Sequence, residues 1–199
     1  MSDRNDSWDE QQQSRLTMSR DARAELEAMG LAIGESSPAG SRAGIDPVAD
    51  RPLIPKRAII ASEVLNEAYD YDKPSSFSRG LRVELPGVTM LLLSGTASVD
   101  EHGATLYEGD FAAQCLRTYR NLTELLVAEK ASWHDVVRTS CYLRDIERDY
   151  DEFNRIRTMF MTTIGLDPLP ASTGIQVRLC RSDLLVEIEA TAIVPNGND

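Results

Sequence analysis

The sequence predicts an α+β domain in which one mixed sheet carries two helices on one face. Three observations lead there. Short β-like runs come in pairs around turn residues, and two longer segments carry apolar residues at three- and four-residue steps. The resulting order, β, β-hairpin, α, β, α, β-hairpin, intersperses the helices among hairpins, which points to a mixed sheet.

The elements begin at Lys56, with Arg57–Glu63 (RAIIASE) as an opening strand. A connection rich in Tyr, Asp, Ser and Pro follows, ending at Arg79-Gly80. Leu81–Leu85 and Thr89–Ser94 are strands around Pro86-Gly87, a hairpin signal, and Asp100–Gly103 is a second turn. In Asp110–Lys130 the residues Ala112, Cys115, Leu116, Tyr119, Leu122, Leu125 and Leu126 form a helical stripe, with Asp110 as N-cap. His134–Leu143 is again a strand. Asp149–Ile164 is the second helix, with Phe153, Ile156, Met159 and Phe160 on one face. Asp149 is its expected N-cap, and Gly165 and Pro168 are its stop signals. Ala171–Leu179 and Leu184–Val194 close the domain as a hairpin turning at Arg181–Asp183. With both helices on one face, the other face of the sheet is left uncovered by this chain, and self-association is the expected remedy.

Residues 1–55 have a different texture. The first twenty are polar, and residues 34–55 are dense in Gly, Ser and Pro, so little apolar surface is on offer against the entropy of ordering. A disordered N-terminal extension over 1–55, a domain over 56–195 and a disordered tail over 196–199 are expected. Within the extension, Arg20–Ile33 suits a short helix that is marginal without a partner; it reads either as part of a tether or as a docking motif for a partner protein.

Composition narrows the function classes. The formal net charge of −11 argues against nucleic acid as a partner, because phosphate contacts need clustered Lys and Arg. The three cysteines, Cys115, Cys141 and Cys180, are far apart and lack CxxC spacing, which disfavours a disulfide framework or a zinc site. Cys141 reads as a small core residue. His102 and His134 lack a second ligand at metal spacing and read as exposed. No signal-peptide core or membrane-length apolar run is present, so the expected location is the cytoplasm, with no membrane partner.

Six segments in order carry a family resemblance over Arg57–Val194: SGTAS (Ser94–Ser98), GDFAAQ (Gly109–Gln114), DVVRTSCYLRD (Asp135–Asp145), FNRIRTMF (Phe153–Phe160), PASTGIQV (Pro170–Val177) and VEIEATAI (Val186–Ile193). Together they resemble the Rid family, also called YjgF or endoribonuclease L-PSP. The resemblance implies a chorismate-mutase-like α+β fold assembled as a homotrimer, with sites at the subunit interfaces and no cofactor. PASTG and SGTAS are also similar to the Rid-like halves of chorismatases.

The best-studied branch of the family hydrolyses enamines and imines to a carbonyl compound and ammonia. The resemblance implies a water held by a carboxylate on the last strand, here Glu187. It also implies substrate contacts from Phe77, Gly95, Asn154, Ser172 and Thr173. In that branch an arginine binds the substrate's carboxylate, and Ser172 stands in its place. A serine hydroxyl cannot replace a charge-assisted fork; the loss is worth roughly 1.5–3 kcal/mol, or about 10- to 150-fold in affinity. The sequence therefore points to an arginine-lacking subgroup that handles an imine or enamine without that anchor. Ser172 and Thr173 either donate to a substrate oxygen or satisfy backbone groups at a strand start. Arg79, Arg178 and Arg181 are the substitute cations on offer, with Arg181 expected to be exposed in its turn. Glu189, two residues from Glu187, reads as solvated. A second reading is a non-catalytic, trimeric metabolite-binding or chaperone-like protein whose N-terminal arm holds a partner.

Overall fold

The computed structural model describes residues 53–71 and 75–196, together with Ala22, Ala24 and Glu25. These last three are helical and fall within the expected Arg20–Ile33 helix; the rest of that segment, the polar first twenty residues, residues 34–52 and the tail from 197 lie outside the described residues.

Six strands and two long helices make the domain. They are β1 (Lys56–Ala58), β2 (Gly80–Leu85), β3 (Val88–Ala97), α1 (Phe111–Ala128), β4 (Val136–Leu143), α2 (Ile146–Thr163), β5 (Ala171–Gln176) and β6 (Val186–Pro195). The sheet order is β1-β2-β3-β6-β4-β5. All neighbours are antiparallel except β4 and β5, which run parallel. This is the mixed sheet with helices on one face that the sequence pattern predicts, but three elements depart from expectation.

First, the opening strand is short. Ile59, Ala61 and Leu65 are buried among the core residues, so the chain leaves the sheet after Ala58 and turns inward. The turn is closed by Leu65 N donating to Ala61 O at 3.0 Å. Second, β5 and β6 are not a hairpin. β6 inserts between β3 and β4, while β5 pairs only with β4, at the sheet edge. Alternation reports a strand but not its neighbour. Third, α2 starts one turn early. Asp145 is the N-cap, its carboxylate accepting from Arg148 N at 3.1 Å. Asp149 is instead a buried helix residue paired with Arg148 at 2.6 Å. Both aspartates fit a capping role in sequence, and the upstream one wins because Ile146 packs against the core.

The α1 boundary agrees with its sequence signals. Asp110 caps the helix by accepting from Ala113 N at 2.9 Å. Its inward face buries Cys115, Tyr119, Leu122, Leu125 and Leu126, each large side chain contributing about 1.5–3 kcal/mol of transfer free energy. Tyr119 stacks on Phe160 of α2 at 4.6 Å between ring centroids, and Trp133 meets both rings edge-on. That cluster fixes α2 against α1. From β6 the side chains of Val186, Ile188, Ala190 and Ala192 are buried on the helix side. The alternate residues Glu187, Glu189, Thr191 and Ile193 therefore line the face without helices. That face is more polar than the sequence suggests: Leu92 and Ile193 are exposed on it beside Ser140, Arg138 and Glu189.

Candidate active site

The site begins with a β-bulge. Leu93 pairs with Ala190 and Thr96 with Ile188, so Ser94 and Gly95 supply one residue more than β6 opposes. Bulges re-aim a strand locally and recur beside sites. Ser94 anchors this one, its N–H donating to Arg79 O at 3.0 Å and its hydroxyl to Ser78 O at 2.8 Å. Across the strand gap, the carboxylate of Glu187 lies over the bare Cα of Gly95. A Cβ at Gly95 would overlap Glu187 Oε1 and lie 2.8 Å from Cδ. Only glycine leaves room for the carboxylate here.

Glu187 opens into a cavity of about 860 Å³, lined also by Phe77, Arg79, Gly95, His102, Cys180 and Arg181. Among the described residues no side chain hydrogen-bonds or ion-pairs with Glu187. Burial pushes its carboxyl above the usual glutamate range, and the neighbouring Glu189 carboxylate adds to the shift. Glu189 is not solvated as expected: it is half-buried and accepts a 2.8 Å hydrogen bond from Tyr142 Oη. A tyrosine one strand away at the matching register (Tyr142 pairs with Glu187) has reach across to it.

Two guanidinium groups line the same cavity in different states. Arg79 is buried, 4% exposed. Its Nε and Nη2 donate to Asn66 O at 2.8 and 2.6 Å, Nη2 also donates to the Tyr71 hydroxyl, and the guanidinium lies near the Tyr71 and Phe77 rings. It is a structural pin. Arg181 is half-buried rather than exposed in a hairpin turn, because β5 and β6 do not pair and the chain between them folds down over the cavity. Its Nη1 donates to Gly103 O, and its guanidinium lies 5.3 Å from the Tyr71 ring centroid.

That connection is held from below. Gln114, fully buried on α1, donates from Nε2 to Asp183 O at 2.8 Å and accepts from Leu185 N at 2.8 Å. Arg144 donates to Arg181 O and Leu184 O. Leu179 and Leu184 pack with Ala97 beneath it. Sequence reading missed Gln114 and Arg144. A signal for Gln114 was present: Gln114, Thr118 and Asn121 share the apolar stripe of α1, and polar residues on a buried face mark backbone groups that need partners. Arg144 carried no such signal, since its acceptors are carbonyls some forty residues away.

The remaining expected site residues gather elsewhere in the protomer. Ser172 points to the helix side, where Thr139 Oγ1 donates to its hydroxyl at 3.0 Å and Arg157 Nη1 reaches it at 3.2 Å. Arg157 Nη2 also donates to Asn154 Oδ1 at 2.5 Å, and its guanidinium lies over the Phe153 ring at 5.2 Å. Thr173, on the opposite face, accepts from Arg138 Nη2 at 3.3 Å. Phe77, Gly95 and Glu187 therefore share one cavity, whereas Asn154 and Ser172 form a separate cluster at the β5 edge. Cys141 is a core residue, 1% exposed, its thiol raised by burial. His102 and His134 are exposed, and no group of acidic, His and Cys side chains that would hold a metal occurs among the described residues. No helix among those residues is long and apolar enough to cross a membrane.

Comparison with known proteins places this architecture. The family model described as Endoribonuclease L-PSP matches residues 73–194. A RutC family protein of Pyrococcus abyssi is 26% identical over 102 residues, covering 51% of this chain and 76% of that one. A human protein named 2-iminobutanoate/2-iminopropanoate deaminase is 28% identical over 103 residues, 52% of this chain and 72% of the relative. In structure, the yjgF gene product of E. coli superposes with a TM-score of 0.56 at 24% identity, over 69% of this chain and 98% of that one. The fold, the order of the six motifs and the match over most of the domain agree: this chain belongs to the endoribonuclease L-PSP family, the Rid/YjgF proteins.

Proposed function

We propose that the chain hydrolyses a small enamine or imine to a carbonyl compound and ammonia, with Glu187 as the group that holds and activates water. The observation carrying this reading is a half-buried carboxylate, without a counter-ion among the described residues, laid over a bare glycine in an open cavity. An enamine first takes a solvent proton on carbon and becomes the protonated imine. Water then adds to the carbon of the protonated imine and forms the C–O bond, the C=N π pair moving to nitrogen, while Glu187 takes the water's proton. That proton passes to the NH2 group of the resulting carbinolamine. The C–N bond then breaks, ammonia leaves, and the hydroxyl oxygen becomes the carbonyl as its own proton returns to Glu187. A carboxyl held above the usual range suits both halves of this transfer, because its proton affinity lies closer to neutrality. The human relative's name, an iminobutanoate and iminopropanoate deaminase, agrees with this class of reaction.

The reading includes a homotrimer. β5 is exposed along its whole length, with Ile175 and the flanking Leu169 and Val177 open to solvent. An unprotected edge of that kind is a place for another chain. A second copy docking there would lie beside the Asn154–Ser172 cluster at that edge.

Ammonia release tests the reaction, with the imine generated in the assay by an amino-acid oxidase. Wild-type protein should accelerate release, and Glu187→Gln should lose the acceleration while keeping the oligomer. No acceleration with any imine, alongside retained binding of a carbonyl product, would support the binding-protein reading instead.

A further inference from the structure

We infer that Arg181 is the specificity-determining residue of this site: it supplies the cation that anchors an anionic substrate, in place of the arginine missing at Ser172. The inference rests on the hydrolase reading above for its place in the reaction, but not for the binding it asserts.

Four observations converge. Arg181 lines the same cavity as Glu187, within one protomer. It has no carboxylate partner among the described residues, and its Nε and Nη2 donate to no acceptor there; only Nη1 is used, on Gly103 O. The guanidinium is nonetheless fixed, by Tyr71 on one side and by a backbone that Gln114 and Arg144 pin. Finally, the opposite charges of Arg181 and Glu187 line one cavity without pairing, which leaves a gap for a ligand to bridge. A small molecule with an anionic group at one end and a protonated imine nitrogen at the other complements that pair.

The other cations fit less well. Arg79 is buried, with its Nε and Nη2 already committed to Asn66 O and the Tyr71 hydroxyl, so it has no free Nε/Nη2 fork to turn toward a ligand. Arg178 is exposed and lies outside the cavity lining. Arg157 lies 3.2 Å from the Ser172 hydroxyl, where an arginine at 172 would bring a second guanidinium beside it. It is clasped by Asn154 and Ser172 outside that cavity. An arginine on the turn, with unspent donors, can present two parallel N–H groups to a carboxylate.

The test uses the full chain and 2-oxobutanoate, the stable carboxylate product of 2-iminobutanoate hydrolysis, titrated by calorimetry. Wild type should bind it. Arg181→Gln should weaken binding about 10- to 150-fold, the range for one lost charged hydrogen-bonding group. Arg181→Lys should recover part of that, and Arg178→Gln, which removes the same charge outside the cavity, should leave binding as it is. In turnover, Arg181→Gln should raise KM for 2-iminobutanoate without raising it for a carboxylate-free imine made by an amine oxidase. Absence of hydrolysis with retained, Arg181-dependent binding would sink the hydrolase reading and leave this one standing. Wild type that does not bind 2-oxobutanoate, or an Arg181→Gln variant that binds it unchanged, would overturn the assignment, and weakened binding in Arg157→Gln would then move the anchor to Arg157.

Discussion

Gly95 and Glu187 occupy one volume between them: the carboxylate fills the space that any side chain at residue 95 would need. The β3 bulge brings the two together, so backbone irregularity and side-chain chemistry are coupled at a single point.

Gly95→Ala should therefore cost activity far more than stability. The obstructing atoms are the far end of a flexible side chain, so the domain accommodates the methyl by turning the carboxylate away, and imine hydrolysis should fall by roughly 10²- to 10⁴-fold, the usual share of a general base. The double variant Gly95→Ala/Glu187→Ala checks the cause. Its melting temperature should be higher than the sum of the single effects predicts, because the second change removes the group that the first displaces.

Glu187→Gln should stabilise the protein at neutral pH. Its folded carboxyl is raised by burial and by Glu189. Between the ordinary glutamate value of 4.5 and the raised one, the folded state holds a proton that the unfolded state has released. Stability therefore falls as pH rises through that window, and above it the full cost of the buried charge is present. The amide carries no such cost. Thermal melts should show the variant above wild type at pH 7, with the two converging below about pH 4.5. For wild type, kcat/KM should rise with pH through the shifted value, since the ionised carboxylate is the base.

Gln114→Leu tests the support of the turn that carries Arg181. Removing the amide leaves Asp183 O and Leu185 N without their partners, at about 1–3 kcal/mol for each buried group. A lower denaturation midpoint together with weaker 2-oxobutanoate binding is the expected pair of results. Lower stability with unchanged binding would mean that Arg144 alone positions the turn.

Much of this was legible beforehand. The apolar stripe of α1, the Asp110 cap and the Pro86-Gly87 hairpin are local, and local chemistry decides them. The Glu187 and Gly95 positions came from motif order. What could not be read was pairing. β5 and β6 look like a hairpin because a short polar turn separates two β-like runs, yet β6 is drawn away to join β3 and β4, where Ile188, Ala190 and Ala192 find the core. Misplacing that one strand also misplaced Arg181, which followed from the hairpin to solvent. The Asp145 and Asp149 exchange is a smaller instance: two equivalent caps, decided by which start lets Ile146 pack.

Truncation at Pro55 tests the domain boundary. The Gly/Ser/Pro-rich sequence of residues 34–55 cannot build a core of its own. Pro55 O accepts from Glu84 N at 3.0 Å, so the shortened chain should retain that residue. A melting temperature within about 2–4 °C of the full chain, less than roughly 1 kcal/mol, is expected; a larger drop would show that the arm contributes to the domain.

Self-assembly is checked by sedimentation equilibrium, where a trimer is expected at micromolar concentration. Ile175→Lys, a charge placed on the exposed β5 edge, should shift the mass toward the monomer without lowering helix content.

The central position of β6 bears on synthesis. As the chain leaves the ribosome, β2 and β3 can pair, α1 can coil, and β4 can form, but β3 and β4 have no shared neighbour until Val186–Pro195 has emerged. The nascent chain must hold its apolar strands unsatisfied for nearly the whole length of the domain, and the sheet closes only in the final step. A message stopped before Val186 yields a product with two separated half-sheets and no Glu187, and cells should clear it as unfolded rather than keep it as a partial protein.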